Sequence, residues 1–171
     1  GIPVPSSQQY WDIPFAAVQL GSEEDTRREL MDRMKEAVDI RMVAEVPLGA
    51  FLSGGVDSSA VVAMMAGLQS DPVNTCAIGF DVKQFNETEF ARMVADRYKT
   101  NHFEQTVSSD DFDLVDILAT LYDEPYADSS AIPTYRVCQL ARQRVTVALS
   151  GDGGDESFAG YRRYRWHMNE E

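Results

Sequence analysis

The sequence predicts an α/β fold, a mostly parallel, twisted β-sheet with helices on both faces. Short apolar runs that suit buried strands alternate with segments whose apolar residues recur at helical spacing. Glycine-rich turns follow two of the predicted strands, and a chain of 171 residues is long enough to bury a core. Alternation of this kind is typical of parallel sheets covered by helices.

The first predicted helix begins at Ser22 and runs to about Val43. Ser22 precedes three acidic residues, which suit a helix N-terminus, and apolar residues then recur at helical spacing. Pro47 ends this segment, because proline cannot donate the backbone hydrogen bond that a helix interior requires. The apolar run 46–52 is bounded by glycine signals and is predicted to be a buried strand.

Helices and strands then alternate to the end of the sequence. Residues 58–68 are predicted to be a helix and residues 75–80 a strand. The stretch NETE at 86–89 resembles a capping box, and three apolar residues spaced by four follow it. The remaining predicted elements are a strand at 102–107, a helix capped by Ser109 or Asp110, a helix at 131–144 and a strand at 145–149.

Composition and charge exclude several classes of function. The formal net charge of −13 opposes nonspecific binding to nucleic acids or anionic membranes. The sequence shows neither an apolar run of about 18 residues, which a membrane span needs, nor a secretion signal. Cys76 and Cys138 each stand alone in an apolar context, which favours reduced core cysteines in a cytoplasmic protein.

The stretch FLSGGVDSSAVV, residues 51–62, places a glycine-rich turn between a predicted strand and a predicted helix. Ser53, Gly54 and Gly55 therefore lie at a helix N-terminus, where free N–H groups and the helix dipole favour an anion. Glycine lets an oxyanion approach the backbone closely, and the serine hydroxyls add donors. The turn predicts a phosphate or pyrophosphate site; the alternative is a plain strand-to-helix turn.

Two carboxylates at separate turns predict a magnesium site. Asp57 stands where a Walker A loop carries lysine, and a carboxylate repels phosphate unless a divalent cation such as Mg²⁺ lies between them. The stretch LSGDGGDESFAGY, residues 149–161, is a second glycine-rich turn after an apolar strand. Both turns are expected to meet where the strand order reverses. Asp155 would then complete the metal site and Asp152 would act on the substrate; the alternative is an acidic, solvated turn.

Several stretches resemble a known family. The motif SGGVDSS resembles the signature of the PP-loop ATP pyrophosphatases. Its combination with VTVALSGDGGDESFAGYRRY and DEPYADSSAIPTY resembles the synthetase domain of glutamine-dependent asparagine synthetases, from about Tyr10 onward. The resemblance implies a PP-loop, HUP-like fold, a three-layer sandwich similar to the Rossmann fold.

The resemblance implies ATP-dependent amide synthesis that requires ATP and Mg²⁺. The side-chain carboxylate of aspartate attacks the α-phosphorus of ATP, pyrophosphate leaves, and a β-aspartyl-AMP forms. Ammonia, delivered from a glutaminase domain of the same protein, then displaces AMP and gives asparagine. The implied partners are ATP, AMP, pyrophosphate, aspartate and ammonia, and the resemblance is compatible with a homodimer.

The resemblance also assigns roles to matching positions. Asp57 and Asp155 match the magnesium ligands. Asp152 matches a position where many asparagine synthetases carry a glutamate tied to formation or use of the acyl-adenylate, and the side chain here is one methylene shorter. The pyrophosphate loop matches Ser53, Gly54, Gly55, Asp57 and Ser58, and the positions that contact adenosine or AMP match Phe51, Ile78, Ser150 and Gly151.

The predicted domain organisation divides the chain after residue 21. Residues 1–21, which are rich in proline and aromatic residues, are expected to be an extended linker from an upstream glutaminase domain. Residues 22–171 are expected to be the ATP-pyrophosphatase core of the synthetase, truncated at its C-terminus. Two alternatives stay open: another PP-loop adenylating ligase or amidotransferase, such as a β-lactam-synthetase-like enzyme, and a nucleotide-binding module without catalysis.

Overall fold

A computed structural model gives the structure of the chain and describes residues 6–13, 21–81, 86–107 and 114–169. The helices are α1 (Glu23–Met42), α2 (Val56–Leu68), α3 (Thr88–Tyr98), α4 (Val115–Leu121), α5 (Ala131–Ala141), α6 (Gly154–Phe158) and α7 (Arg162–Met168). The strands are β1 (Leu48–Phe51), β2 (Asn74–Phe80), β3 (Asn101–Val107) and β4 (Val147–Leu149). Among the described residues, every helix is too short or too polar to cross a bilayer.

The four strands form one sheet in the order β3-β2-β1-β4, and every neighbouring pair is parallel. The chain moves outward from β1 through β2 to β3 and then returns to place β4 on the other side of β1. The strand order therefore reverses between β1 and β4, and the loops after these two strands open into the same crevice. The predicted parallel sheet is confirmed.

Helices cover both faces of this sheet, as predicted. On one face, Val62 and Met65 of α2 pack with Ala50 of β1 in a buried cluster that also includes α3. On the other face, Leu140 of α5 packs in a second cluster against which Phe51 of β1 is partly buried. Neighbouring residues of β1 thus point to opposite faces. Burial of each large apolar side chain stabilises the fold by about 1.5–3 kcal/mol.

The chain divides into two compact units, residues 1–33 and residues 34–171. In the first unit, residues 6–13 are exposed and have no regular secondary structure. Ser22 caps α1 as predicted: its Oγ accepts a hydrogen bond from the backbone N–H of Asp25 at 3.2 Å and donates one to the Asp25 carboxylate at 2.6 Å. The division into linker and core after residue 21 stays a prediction.

The predicted elements exist, but several of their bounds differ. The strand predicted at 46–52 covers only Leu48–Phe51, and the helix predicted from residue 58 begins at Val56. Asp57 therefore lies in the first turn of α2. The last predicted helix and strand, at 131–144 and 145–149, shorten to α5 and β4, with a turn between them. The predicted caps Ser109 and Asp110 lie outside the described residues.

The capping role that the sequence predicts for Asn86 at the start of α3 is confirmed in part. Glu87 precedes the helix and makes no side-chain capping bond, and the Asn86 side chain instead accepts a hydrogen bond from the Thr88 N–H at 3.1 Å. The buried face carries Ala91 and Ala95, whereas Phe90 is 59% exposed. Ala91 and Ala95 belong to the buried cluster that α2 and β1 form on this face of the sheet.

A buried polar group lies between β2 and β3. His102 Nδ1 is 2.9 Å from the hydroxyl oxygen of Thr75, which is fully buried. His102 Nε2 is also buried and has no hydrogen-bond partner among the residues that the structure describes. It lies 3.8 Å from the Glu104 carboxylate, which accepts two hydrogen bonds from Arg92. Burial lowers the pKa of His102; Arg92 lowers it further, while Glu104 and Asp96 raise it. The imidazole is therefore neutral at pH 7.

The free energy of unfolding is expected to fall as the pH drops below about 7. In the unfolded chain His102 has an ordinary pKa near 6.5 and binds a proton below that pH, whereas the folded imidazole stays neutral. The stabilisation that neutral His102 contributes is therefore fully present above about pH 6.5. It is lost as the pH falls toward the lowered pKa of the folded state. Urea unfolding at about pH 8 and about pH 5.5 measures this dependence. His102→Gln should flatten it and exposed His167→Gln should not; equal slopes for wild type and His102→Gln would contradict the prediction.

Candidate functional site

A cleft of about 690 Å³ opens at the reversal of strand order, between the loops that follow β1 and β4, with α5 on one side. Its position matches the rule that ligands of open α/β sheets bind beyond the carboxyl ends of the strands. Nine of the eleven predicted site residues line this cleft: Phe51, Ser53, Gly55, Asp57, Ser58, Ser150, Gly151, Asp152 and Asp155. The fold thus brings together two stretches that are about a hundred positions apart in the sequence.

Serine hydroxyls hold the first loop, residues 52–55, in shape. Ser53 Oγ accepts a hydrogen bond from the Gly55 N–H at 3.2 Å and lies 3.0 Å from Ser58 Oγ. The hydroxyls of Ser58 and Ser59 both donate to the Gly55 carbonyl, at 3.2 and 2.6 Å. Ser59 is the first residue whose N–H bonds back to this loop, so the preceding amides at the start of α2 have no partner within the helix and are free to bind an anion.

Gly54 allows this loop to pack against α3 on the side away from the cleft. Its φ is +87°, in the left-handed region that favours glycine. A Cβ there would lie 2.6 Å from the Ala91 nitrogen and 2.6 Å from the Phe90 Cβ. Gly54 is not among the residues that line the cleft; it packs against the first turn of α3 instead. This contact places the loop directly against the backbone of α3 at Phe90 and Ala91.

The second loop, residues 150–153, holds a carboxylate at the cleft. Ser150 Oγ donates a hydrogen bond to the Asp152 carboxylate at 3.0 Å, and the Asp152 N–H donates to Ser150 Oγ at 3.4 Å. The loop then turns through Gly153, whose φ is +89°, into the short helix α6. Asp152 is exposed and lines the cleft, and its two hydrogen bonds with Ser150 hold its side chain in place.

The second loop touches the first turn of α2 through glycines. Gly151 lies against the backbone there, so that a Cβ on Gly151 would be 2.7 Å from the Ser58 nitrogen. Gly154 lies against the carboxylate of Asp57. The carboxylate of Asp155 lies in the same way against Gly160. Residues without side chains therefore let the two loops approach and place both predicted metal ligands on the cleft.

The donors at this cleft fit a magnesium ion. The carboxylates of Asp57 and Asp155 both line it, and neither forms a hydrogen bond or ion pair with another described side chain. No lysine or arginine stands among the described residues that line the cleft, and the described residues contain no group of three or more metal-binding side chains. Mg²⁺ is commonly held by one or two carboxylates together with phosphate oxygens and water, and this cleft offers that set once a nucleotide is present.

A smaller apolar cavity of about 170 Å³ adjoins the cleft. The two share Phe51, Ser53 and Val137, and Ile78 and Pro133 also line the cavity. Phe51 and Ile78, which the resemblance assigned to the adenosine, thus lie together at the carboxyl ends of β1 and β2. Their assignment as nucleoside contacts stays a prediction.

Sequence reasoning did not select four residues that line the cleft, of which Val56 is the first residue of α2. Val137 lies on α5, and Phe158 and Gly160 follow the second loop. The helical spacing of Val137 behind Pro133 could have indicated a shared face. Gly160 gave no such signal, because its role depends on the Asp155 carboxylate that lies against it.

Tyr161 bonds to a neighbouring carboxylate beside the cleft. The Tyr161 hydroxyl donates to Glu156 Oε1 at 2.6 Å. This bond lowers the pKa of Glu156, and Arg163 lowers it as well. The same bond raises the pKa of Tyr161. Both groups therefore keep the charge states, carboxylate and phenol, that the bond needs at pH 7.

The sequence matches the profile of the family described as Asparagine synthase over residues 29–171. A Methanocaldococcus jannaschii protein named as a glutamine-hydrolyzing asparagine synthetase is 43% identical over 159 residues, which cover 89% of this chain and 30% of that protein. Glutamine-hydrolyzing asparagine synthetase 1 of Bacillus subtilis is 35% identical over 158 residues, 91% of this chain and 24% of that protein. Amidase chry2 of Gibberella zeae is 30% identical over 175 residues, 91% of this chain and 26% of that protein.

Two solved structures share the fold. The NMN synthetase from Francisella tularensis superposes with a TM-score of 0.51 at 16% identity and covers 78% of this chain and 58% of that one. The NH3-dependent NAD synthetase from Campylobacter jejuni superposes with a TM-score of 0.50 at 12% identity. The superposition covers 78% of this chain and 60% of that one. These likenesses confirm the PP-loop type of fold. The chain spans no more than 30% of the length of the relatives described above, and the match over residues 29–171 shows that it belongs to the asparagine synthase family.

Proposed function

We propose that the protein carrying this chain is a ligase that makes asparagine from aspartate, ATP and ammonia, and that this chain binds the ATP. The observation that carries the proposal is the cleft in which Asp57, Asp152 and Asp155 from two glycine-rich loops meet in a member of the asparagine synthase family. In the proposed reaction, the β-carboxylate of aspartate attacks the α-phosphorus and displaces pyrophosphate. Ammonia then attacks the β-aspartyl-AMP and releases AMP.

The first loop would hold the departing pyrophosphate. The amides at the start of α2 that have no partner within the helix would bind it, and the helix dipole favours negative charge there. The hydroxyls of Ser53 and Ser58, 3.0 Å apart, would add donors after rearranging from each other to the phosphate oxygens. Mg²⁺ held by Asp57 and Asp155 would neutralise the charge that builds up on the leaving group. Donors that need no rearrangement, such as the backbone amides, favour the transition state over the ground state.

Asp152 would act at the acyl-adenylate. Its carboxylate is held by Ser150 Oγ at 3.0 Å and faces the cleft, so it can orient the aspartate amino group or accept a proton from the attacking ammonia. The Phe51 and Ile78 cavity would accept the base, because it is small, apolar and adjoins the cleft. The Ser150 and Gly151 backbone would complete the nucleotide contacts.

The remaining parts of the proposal concern the whole protein. Because the chain spans 30% or less of its relatives, we assign the ammonia supply to a glutaminase domain of the same protein. Both cysteines are free, as is usual in a reducing compartment, and we assign the reaction to the cytoplasm. A homodimer is part of the same expectation.

Aspartate-dependent ATP–pyrophosphate exchange tests the proposal in the natural protein that carries this chain. We expect exchange with aspartate, and Asp152→Ala should lower its rate about a hundredfold or more. A panel of other carboxylic acids tests the second candidate, an amidotransferase for a different acceptor, which the 30% identity to a protein named as an amidase favours. Nucleotide binding without exchange for any acid would contradict both.

A further inference from the structure

We propose that the hydrogen bond between Tyr161 and Glu156 positions the Asp155 carboxylate for its metal ion. This bond is called the clasp below. The inference rests on the proposed function, which assigns Asp155 as a magnesium ligand. Neither clasp residue is placed on the nucleotide; both act through the backbone that supports Asp155, so they are positioning residues.

The clasp closes a tight reversal of the chain at the end of α6. Tyr161 Oη and Glu156 Oε1 are 2.6 Å apart, across five positions of sequence. Inside this loop the Gly160 N–H donates to the Asp155 carbonyl at 3.0 Å. Ala159 has a φ of +55°, a conformation that costs a non-glycine residue free energy. A side chain that ties the two ends together offsets this cost and keeps the reversal closed.

The closed reversal places a glycine directly against the carboxylate. A Cβ on Gly160 would occupy the position of Asp155 Oδ1 and would lie 3.2 Å from the Asp155 Cα. Gly160 precedes Tyr161 in the chain, so the clasp fixes the surface on which the carboxylate rests. Both Gly160 and Asp155 line the cleft. If the clasp opens, the carboxylate loses this support and its rotamers spread.

The Arg163 side chain contacts the ring of Tyr161, one of the two clasp residues. The Arg163 guanidinium lies 4.3 Å from the centroid of the Tyr161 ring and 5.7 Å from that of Tyr164. Such contacts attract a cation to the ring face. Arg163 thus fixes the Tyr161 ring, while only the Tyr161 hydroxyl reaches a carboxylate among the described residues. Tyr164 contacts the same guanidinium at a longer distance, has no clasp, and provides the control.

Mn²⁺ binding tests the inference in the natural protein saturated with α,β-methylene-ATP, which cannot release pyrophosphate. Electron paramagnetic resonance measures the free Mn²⁺. We expect Tyr161→Phe, which keeps the ring, to weaken Mn²⁺ binding about tenfold, as for other supports of metal ligands. Tyr164→Phe should leave the affinity unchanged. Glu156→Ala should weaken it like Tyr161→Phe, and Glu156→Gln, which keeps an acceptor for the phenol, should restore most of it.

Kinetics supply a second measurement. In aspartate-dependent exchange, Tyr161→Phe should raise the Mg²⁺ concentration for half-maximal rate and leave the rate at saturating Mg²⁺ near that of wild type. Unchanged Mn²⁺ affinity in Tyr161→Phe, with a loss in Asp155→Asn, would overturn the clasp and leave the proposed function standing. Unchanged affinity in Asp155→Asn, with a loss in Asp57→Asn, would overturn both the clasp and the assignment of Asp155 as a ligand.

Discussion

Replacing Asp57 with asparagine is expected to lower ATP–pyrophosphate exchange at least about a hundredfold. The amide keeps the shape of the side chain but removes the charge that attracts the divalent cation. Because no lysine or arginine lines the described part of the cleft, no other side chain there can take over the neutralisation of the leaving pyrophosphate. Exchange with aspartate, measured at increasing Mg²⁺ concentrations, gives the size of the loss.

The same replacement should leave the fold almost unchanged. Asp57 forms no ion pair or side-chain hydrogen bond among the described residues, so its main contribution to stability is a favourable charge in the first turn of α2, about 0.3–1 kcal/mol. Asp71→Asn, in an exposed turn, is the matched control and should keep wild-type exchange. Normal exchange in Asp57→Asn would remove the carboxylate-bound cation from the mechanism.

Replacing Gly54 with alanine is expected to lower the free energy of unfolding by about 2–4 kcal/mol, because two separate costs combine. The residue would have to hold a φ of +87°, and its Cβ would lie 2.6 Å from backbone and side-chain atoms of α3. The backbone nitrogen of Ala91 cannot move aside as the tip of a flexible side chain would. Urea unfolding followed by circular dichroism measures the loss.

Gly67→Ala provides the matched control on the same helix that Gly54 precedes. Gly67 lies in α2, and a Cβ there would meet nothing within 4 Å. Its replacement should stabilise the protein by about 0.5–1 kcal/mol, because alanine loses less backbone entropy in a helix. Equal changes in the free energy of unfolding for Gly54→Ala and Gly67→Ala would show that the space between Gly54 and α3 can accept a methyl group.

Much of this arrangement could be predicted because it depends on local patterns. Apolar runs followed by glycine and serine indicated the strands and the loops at their carboxyl ends. Asp57 and Asp155 could be assigned to one site because parallel strands end at the same edge of the sheet. The order of the strands, with β4 beside β1, cannot be read from any single segment of the sequence. The prediction that the loops after β1 and β4 share one crevice came instead from the rule that ligands of open α/β sheets bind where the strand order reverses.

The parts that could not be predicted depend on contacts between distant segments. Phe90 has helical spacing behind the start of α3 but is exposed, and its Cβ lies against the Gly54 backbone, which is distant in sequence. Gly160 looks like an ordinary turn glycine until the Asp155 carboxylate is seen against it. Ala159 shows no sequence signal of positive φ at all, since that conformation is usually occupied by glycine or asparagine.

At the proposed ATP site, the absence of basic side chains from the described lining of the cleft is expected to reverse the usual effect of salt on nucleotide affinity. A chain of net charge −13 repels free ATP over a distance that shortens as ionic strength rises. In a lysine-lined pocket, added salt weakens the attraction; here it would screen a repulsion instead. Affinity would then depend more on how much of the nucleotide is already complexed with a divalent ion than on the total amount of nucleotide present.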